Sequence, residues 1–333
     1  MIHHSSSLTA SALAHPNIAF IKYWGNIDDS LRLPVSGSIS MNLDALSTRT
    51  TVTFNADFPS DTLTINALPV AGSGLARVST FLDLVRAQAH TGLKAAVVSE
   101  NNFPSSAGMA SSASAFAALA LAAARALGLD LTEAQLSALA RRGSGSACRS
   151  IPGGFVEWRA SRDDSECYAQ SIVSPQDWDL VDCIAIVCEQ AKTTGSTEGH
   201  TLAATSPLQA ARINDAPRRL DLCRRAIQEH DFTALAQIVE QDNHIMHAVM
   251  MTSTPPLIYW QPETLTIMKK VVKLREGGLP VCYTIDAGPN VHVLCPADAA
   301  RGVLIELSKI SGIRQVLTSH PGGPARIILP DSE

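Results

Sequence analysis

The chain has 333 residues, 46% hydrophobic and 17% charged, with a formal net charge of −5. That composition excludes a disordered polymer, leaves room for two domains or one large one, and gives no electrostatic reason to expect a nucleic-acid partner. A small anionic ligand remains compatible with it, because a few local cations can dominate one pocket. The seven cysteines are scattered, with no C-x-x-C pair and no paired metal-ligand spacing, and read as reduced thiols in the cytoplasm. The opening MIHHSSSLTASALAHPN lacks a charged n-region followed by an apolar h-region, so it does not read as a signal peptide.

In chain order, the first third mixes short β-type runs with turn residues. Ser47 to Phe54 (STRTTVTF) alternates small or polar with β-branched residues, and Leu63 to Ile65 and Leu93 to Val98 are further expected strands. A Gly/Ser loop, NNFPSSAGMASS from Asn101 to Ser112, runs into an Ala-rich stretch from Ala113 to Leu127. That stretch is shorter than the roughly 20 apolar residues of a membrane span and is interrupted by Ser114 and Arg125, so it is expected to be a buried helix. A second helix is predicted over Thr132 to Arg142, where Thr132 and Gln135 have capping-box spacing. Gly143 to Arg149 (GSGSACR) breaks it. Strands are expected near Gly154 to Trp158 and Cys183 to Val187, followed by a loop from Ala191 to Ser196. Three helical patterns follow at Leu208 to Glu229, Phe232 to Met250 and Glu263 to Glu276, then two strand-like runs flanking a turn in Tyr283 to Leu294 (YTIDAGPNVHVL), and a last helix and strand. Strands and helices without regular βαβ spacing argue for an α+β fold. The division is expected to give an N-terminal domain over 1–188 and a C-terminal one over 189–333.

Four segments carry candidate chemistry, each with a plainer alternative. In the Gly/Ser loop, Gly108 permits close backbone approach, Ser106, Ser111 and Ser112 offer hydroxyls, and the following helix turns its amides and dipole toward the loop. It is neither a Walker A loop nor a Rossmann fingerprint, and a simple Ser-rich helix entry explains it as well. In GSGSACR, Arg149 can grip a carboxylate or phosphate in a bidentate fork, beside Ser144 and Ser146, or can be structural. Lys22, Tyr23 and Trp24 leave an apolar strand at Gly25, so Lys22 either faces an anion or snorkels from a strand end. Asp286 lies between an apolar strand and the turn Ala-Gly-Pro-Asn, where it serves as a base or caps the turn. His244 and His247 have no third ligand spaced to join them and read as helix-face histidines.

Taken together, PNIAFIKYWG, SENNFPSSAGMASSASAFAAL, RRGSGSACRSIPGGFVEW and TIDAGPNV, in that order, resemble the mevalonate diphosphate decarboxylases of the GHMP kinase superfamily over nearly the whole chain. The resemblance implies a two-domain α+β fold, with an N-terminal domain like ribosomal protein S5 domain 2, a ferredoxin-like C-terminal domain, and the site in the cleft. It implies an enzyme that uses ATP and Mg²⁺ to phosphorylate the tertiary 3-hydroxyl of a 5-phosphorylated mevalonate, then releases phosphate and CO₂. By the same resemblance Asp286 lies at the 3-hydroxyl, Lys22 neutralises charge beside it, and Arg149 holds the substrate carboxylate. Tyr23, Asn26, Ser144, Ser146, Ser196 and Thr197 would bind substrate; Asn101, Ser106, Gly108, Ser111 and Ser112 would cradle ATP, with Ser112 at the magnesium. The family's habit of dimerising implies a homodimer, with no nucleic-acid or membrane partner.

One departure bears on the substrate. Members that use the 5-diphosphate generally read KYWGK, and here Asn26 stands at the last lysine. Some bacterial members also carry an arginine in the loop matching TGSTEG, where this chain has Thr197, although other diphosphate users lack it too. Fewer cations at the 5-phosphoryl end favour a less charged tail, so mevalonate 5-phosphate giving isopentenyl phosphate is the expected reaction. Mevalonate 5-diphosphate decarboxylation, a 3-kinase that stops before decarboxylation, and a non-catalytic binding module are the rival readings.

Overall fold

Alternating burial builds the first sheet. The computed structural model describes residues 8–103, 111–188 and 195–329; Ser106 and Gly108 of the expected phosphate loop lie outside them. In the strand Thr48–Asn55 every second residue points inward, and Val52 and Phe54 are fully buried, as the period of two requires. This strand is central in a six-stranded sheet whose order is Arg326–Ile328, Leu8–Ala14, Thr48–Asn55, Lys94–Asn101, Thr62–Ile65, Leu68–Val70. Its inner face is covered by the helices Ser73–Gln88, Ser111–Ala126 and Glu133–Gly143. The Ser111–Ala126 helix is buried nearly all round, which its alanines allow because they let neighbouring elements approach closely. The expected cap is present: Thr132 accepts from the Gln135 N–H, and the Gln135 side chain returns a bond to the Thr132 N–H at 2.9 Å. That helix stops at Gly143, where a Cβ would lie 2.0 Å from the Phe116 ring, and the chain passes into a 3₁₀ turn over Gly145–Ser150.

Two further sheets sandwich the long helices of the second half. The first, in the order Ala169–Val173, Phe155–Trp158, Ser38–Asn42, Asn17–Ile21, and the second, Cys282–Thr284, Val291–Pro296, Leu180–Ile186, Gln315–Ser319, both meet the helices Gln209–Gln228 and Phe232–Met251. Ile18, Ile39 and Phe155 from one sheet and Ile184, Ile186 and Leu294 from the other share a core with Cys223, Leu235 and Val239 of those helices. The helices Pro262–Glu276 and Ala300–Leu307 cover the other face of the second sheet. Among the described residues, no helix is long and apolar enough to cross a membrane.

The strands and helices expected from the sequence are present within a few residues of their expected bounds, and the structure adds others, among them the strands Leu8–Ala14, Ser38–Asn42 and Ala169–Val173 and a long helix. Ser73–Gln88 is a helix in a region that reads as strands and turns, because its face is weakly patterned: only Phe81, Leu82, Val85 and Arg86 are buried, and Arg86 is secured by an ion pair to Asp61. Sheet membership also crosses residue 188 in two places. Leu180–Ile186 pairs with strands of the second half, and Arg326–Ile328 pairs with Leu8–Ala14 of the first.

Because one core joins both sheets, unfolding is expected to be a single transition. Ile184→Ala should cost about 2–5 kcal/mol, and in urea the tryptophan-fluorescence and far-UV circular dichroism midpoints should fall together; separated midpoints would mean that the halves unfold independently.

Candidate active site

The strand Asn17–Ile21 delivers Lys22 to the interior. Lys22 is not the exposed lysine that its place in the sequence suggests: it is 1% exposed, and its Nζ donates to Asp286 Oδ1 at 2.6 Å. A buried ammonium is tolerated only with such a partner. Its backbone is held just as firmly. The Lys22 N–H donates to Asp242 Oδ2 at 2.7 Å, Arg212 Nη2 donates to the Lys22 carbonyl at 2.5 Å, and Arg212 Nη1 and Gln209 Nε2 each donate to the Trp24 carbonyl at 3.0 Å. Arg219 Nε closes the network on Asp242 Oδ1 at 2.7 Å, with both side chains fully buried. Gly25 turns at φ 97°, in the left-handed region that glycine allows.

Asp286 follows the strand Cys282–Thr284 and retains 28% of its side-chain surface, so it is the solvent-facing member of the pair. Its segment is anchored from the helix Phe232–Met251: Asn243 Oδ1 accepts from the Ile285 N–H at 2.8 Å, and His247 Nε2 lies 3.2 Å from the Ile285 carbonyl. His244 instead meets the Tyr283 hydroxyl at 2.7 Å. Both histidines therefore have local partners, and among the described residues no three His, Cys, Asp or Glu side chains gather as a metal cage.

Arg149 sits in the 3₁₀ turn and is 3% exposed. Among the described residues its guanidinium bonds neutral oxygens: Ser38 Oγ at 2.6 Å, Ser40 Oγ at 3.0 Å and Asn17 Oδ1 at 3.1 Å. Burial lowers its pKa, while nearby Cys148, Asp286 and Tyr23 act in the opposite direction. A buried cation satisfied by neutral acceptors is arranged to receive an anion. Asn17, Ser38 and Ser40 were not singled out in the sequence; Asn17 opens the NIAFIKYWG run and the two serines alternate on SGSISMN, so their period of two was the available signal.

The remaining candidates fall into four groups. Ser112, in the first turn of the sixteen-residue helix Ser111–Ala126, has its Oγ 3.1 Å from Ser144 Oγ, which in turn lies 3.5 Å from Ser146 Oγ. The expected phosphate loop and the GSGSACR segment thus meet. Tyr23 packs against Gly145, where a Cβ would lie 2.5 Å from the ring, and its hydroxyl donates to Asn26 Oδ1. Asn101 ends the strand Lys94–Asn101 and accepts from Thr48 Oγ1 at 2.6 Å, which also contacts Ser114 of the same Ala-rich helix. Ser196 and Thr197 lie in the first turn of the helix Ser196–Leu202, where a loop was expected, and Thr197 is exposed.

That helix contributes an unforeseen residue. His200 stacks on Tyr23 and Trp24, with ring centroids 4.1 and 4.7 Å away, and its Nδ1 accepts from the Gly25 N–H at 2.9 Å. Because Nδ1 accepts, the ring proton is on Nε2. Burial, then the charges of Arg32, Arg212 and Arg149, lower its pKa to about 3. His247 is likewise lowered to about 4, chiefly by burial. Both rings stay neutral in the fold but take up protons near pH 6.5 when unfolded, so stability is fully present above that pH and is lost below it. Going from pH 7 to 5 should cost on the order of 1–2 kcal/mol for each ring, read as a drop in the urea midpoint that His200→Asn makes smaller; an equal drop in that variant would contradict the assignment.

Known proteins resemble the chain over nearly its whole length. Residues 14–169 match the diphosphomevalonate decarboxylase-like N-terminal domain, and residues 183–325 the mevalonate 5-diphosphate decarboxylase C-terminal domain. The chain is 38% identical to the diphosphomevalonate decarboxylase of Candida albicans, over 86% of this chain and 83% of that one. It is 36% identical to the phosphomevalonate decarboxylase of Haloferax volcanii, over 86% and 88%. The solved structure of MDDEF in complex with MVAPP, AMPPCP and magnesium superposes with a TM-score of 0.92 at 37% identity, covering 97% of this chain and 99% of that one.

Proposed function

The chain belongs to the mevalonate diphosphate decarboxylase family, a family of ATP-dependent decarboxylases, and from that premise we propose that it converts mevalonate 5-phosphate to isopentenyl phosphate, phosphate and CO₂. The observation that carries the reaction type is the Lys22–Asp286 pair at 2.6 Å near the buried Arg149, whose guanidinium has neutral hydrogen-bond partners among the described residues.

Asp286 accepts a hydrogen bond from the substrate's 3-hydroxyl and takes its proton, and Lys22 compensates the carboxylate's charge throughout. Arg149 binds the substrate carboxylate and fixes the C–C bond that breaks, so positioning and charge supply most of the acceleration. ATP, with Mg²⁺ at its phosphates, supplies the phosphoryl group that turns the 3-hydroxyl into a leaving group. The residues present suit that role: Ser111 and Ser112 begin a long helix whose N-terminus favours anions, and Ser112 is the metal-side candidate, since magnesium is held largely through nucleotide phosphates and water. Asn101 lies on the strand end beside that helix, with Ser106 and Gly108 completing the ATP cradle by family resemblance. Ser144, Ser146, Tyr23, Asn26, Ser196 and Thr197 line the substrate end on the same ground. A homodimer in the cytoplasm follows from the resemblance, and the seven cysteines, none in a disulfide among the described residues, suit a reducing compartment.

Asn26 supports the monophosphate. Its amide side chain is occupied within the protein, Oδ1 accepting from Tyr23 and Nδ2 donating to Asp29 at 2.8 Å, so no lysine ammonium is present there to neutralise a second phosphoryl group.

With Mg-ATP and either mevalonate 5-phosphate or mevalonate 5-diphosphate, matched release of ADP and CO₂ should be faster from the monophosphate, and Asp286→Asn should lower kcat about 10²–10³-fold. ADP without CO₂ would make the protein a kinase. Asn26→Lys should move the ratio of kcat/KM values toward the diphosphate; an unchanged ratio would remove the basis for the monophosphate.

A further inference from the structure

Arg32 is a second-site cation that the catalytic groups leave unused. It lies in the turn of the small hairpin formed by Asn26–Asp28 and Leu33–Pro34, with φ 52°, a left-handed backbone that turns the residue out of the strand path. Among the described residues its guanidinium makes one hydrogen bond, Nε donating to the Arg142 carbonyl at 3.1 Å, and has no carboxylate partner. Arg77 Nη2 donates to the next carbonyl along, that of Gly143, at 2.8 Å. Two guanidinium groups are therefore fastened to consecutive carbonyls at the end of one helix, immediately before Ser144 and Ser146.

Like charges brought together this way require compensation. Arg77 lies over the Phe116 ring at 4.6 Å and, although the residue is exposed, crowding by the protein and then the charge of Arg32 lower its pKa to about 10. Arg32 is also the strongest charge acting on Tyr23 and on His200, the two stacked rings that flank Gly25. The neutral His200 has its Nε2–H available as a donor, since Nδ1 is used by the Gly25 N–H. Asn26, by contrast, is bonded to Tyr23 and Asp29. Among the described residues, Arg32 and His200 thus carry N–H groups that no hydrogen bond uses, and the charge of Arg32 reaches both rings. Such groups complement a phosphoryl oxygen array, for which arginine's fork is the suited donor.

We propose that Arg32 binds the 5-phosphoryl group of the substrate, with His200 Nε2–H as a second donor, and so sets how much negative charge the substrate tail can carry. The proposal rests on the reading of the substrate as a 5-phosphorylated mevalonate and deepens it. Arg32 supplies one fixed cation at the tail, and Arg77 adds long-range field.

The test is calorimetric binding of mevalonate, mevalonate 5-phosphate and mevalonate 5-diphosphate to the full chain, in the wild type, Arg32→Gln, Arg32→Lys and His200→Asn. Asn keeps an acceptor for the Gly25 N–H and removes the Nε2–H. Arg32→Gln should weaken the phosphorylated ligands about 10- to 100-fold and leave unphosphorylated mevalonate and the KM for ATP unchanged. Arg32→Lys should recover part of the loss, and His200→Asn should show a smaller loss of the same kind. Equal weakening of mevalonate with and without phosphate, or a rise confined to the KM for ATP, would overturn the proposal, as would unchanged binding in Arg32→Gln with an unaltered melting temperature. If the wild type prefers the diphosphate, the monophosphate reading fails while Arg32 is still judged by its effect on that ligand.

Discussion

The buried Asp242 carboxylate holds the site together. It receives the Lys22 backbone N–H on one oxygen and the Arg219 guanidinium on the other, while Arg212 and Gln209 fasten the carbonyls on either side of Tyr23. A carboxylate with two arginines in its neighbourhood and no exposed surface is a costly element, and removing one member of such an arrangement leaves uncompensated charge at about 3–5 kcal/mol. What the network secures is geometry. Residues 22 to 25 leave their strand without a regular sheet to guide them, and the polar clamps from the Gln209–Gln228 and Phe232–Met251 helices replace the missing ladder. The reactive pair therefore joins positions 264 residues apart with little freedom on the lysine side.

The electrostatics divide the site into two regimes. At Lys22 and Asp286 opposite charges are already matched, so the pair can change partners without a change in net charge. At Arg149, and again at Arg32 and Arg77, positive charge is fastened by carbonyls, hydroxyls and an amide rather than by carboxylates. A protein of net charge −5 thus gathers cations held by neutral oxygens around residues 142–149, where their summed field favours a phosphorylated acid.

Strong periodicity made most of the fold legible. Thr48–Asn55 alternates cleanly, and Thr132 with Gln135 marks a helix start by residue type and spacing alone. The helix Ser73–Gln88 was not legible, since a glycine precedes it without a side-chain cap and its buried face is narrow. In the site, the chemically distinctive residues Lys22, Arg149 and Asp286 could be picked out because charge at a strand end or in a glycine-rich turn is unusual. Their supports could not. Asp242, Arg212 and Arg219 sit on helices where charged residues are ordinary, and only tertiary packing turns them inward. His200 was hidden for a similar reason, its role depending on a helix docking over Trp24, where Gly199 leaves room for the ring.

The pairing of Arg326–Ile328 with Leu8–Ala14 has a consequence for biosynthesis. The strand that flanks the first one is made long after it, so until it emerges the nascent sheet presents an open hydrogen-bonding edge of the kind that templates association with other chains. Closing it joins residues as distant as Ser11 and Ile328, a contact of very high sequence separation that slows the final folding step. The native sheet is therefore tied to the synthesis of that late strand, and the interval before it emerges is when this protein most needs shelter from its neighbours.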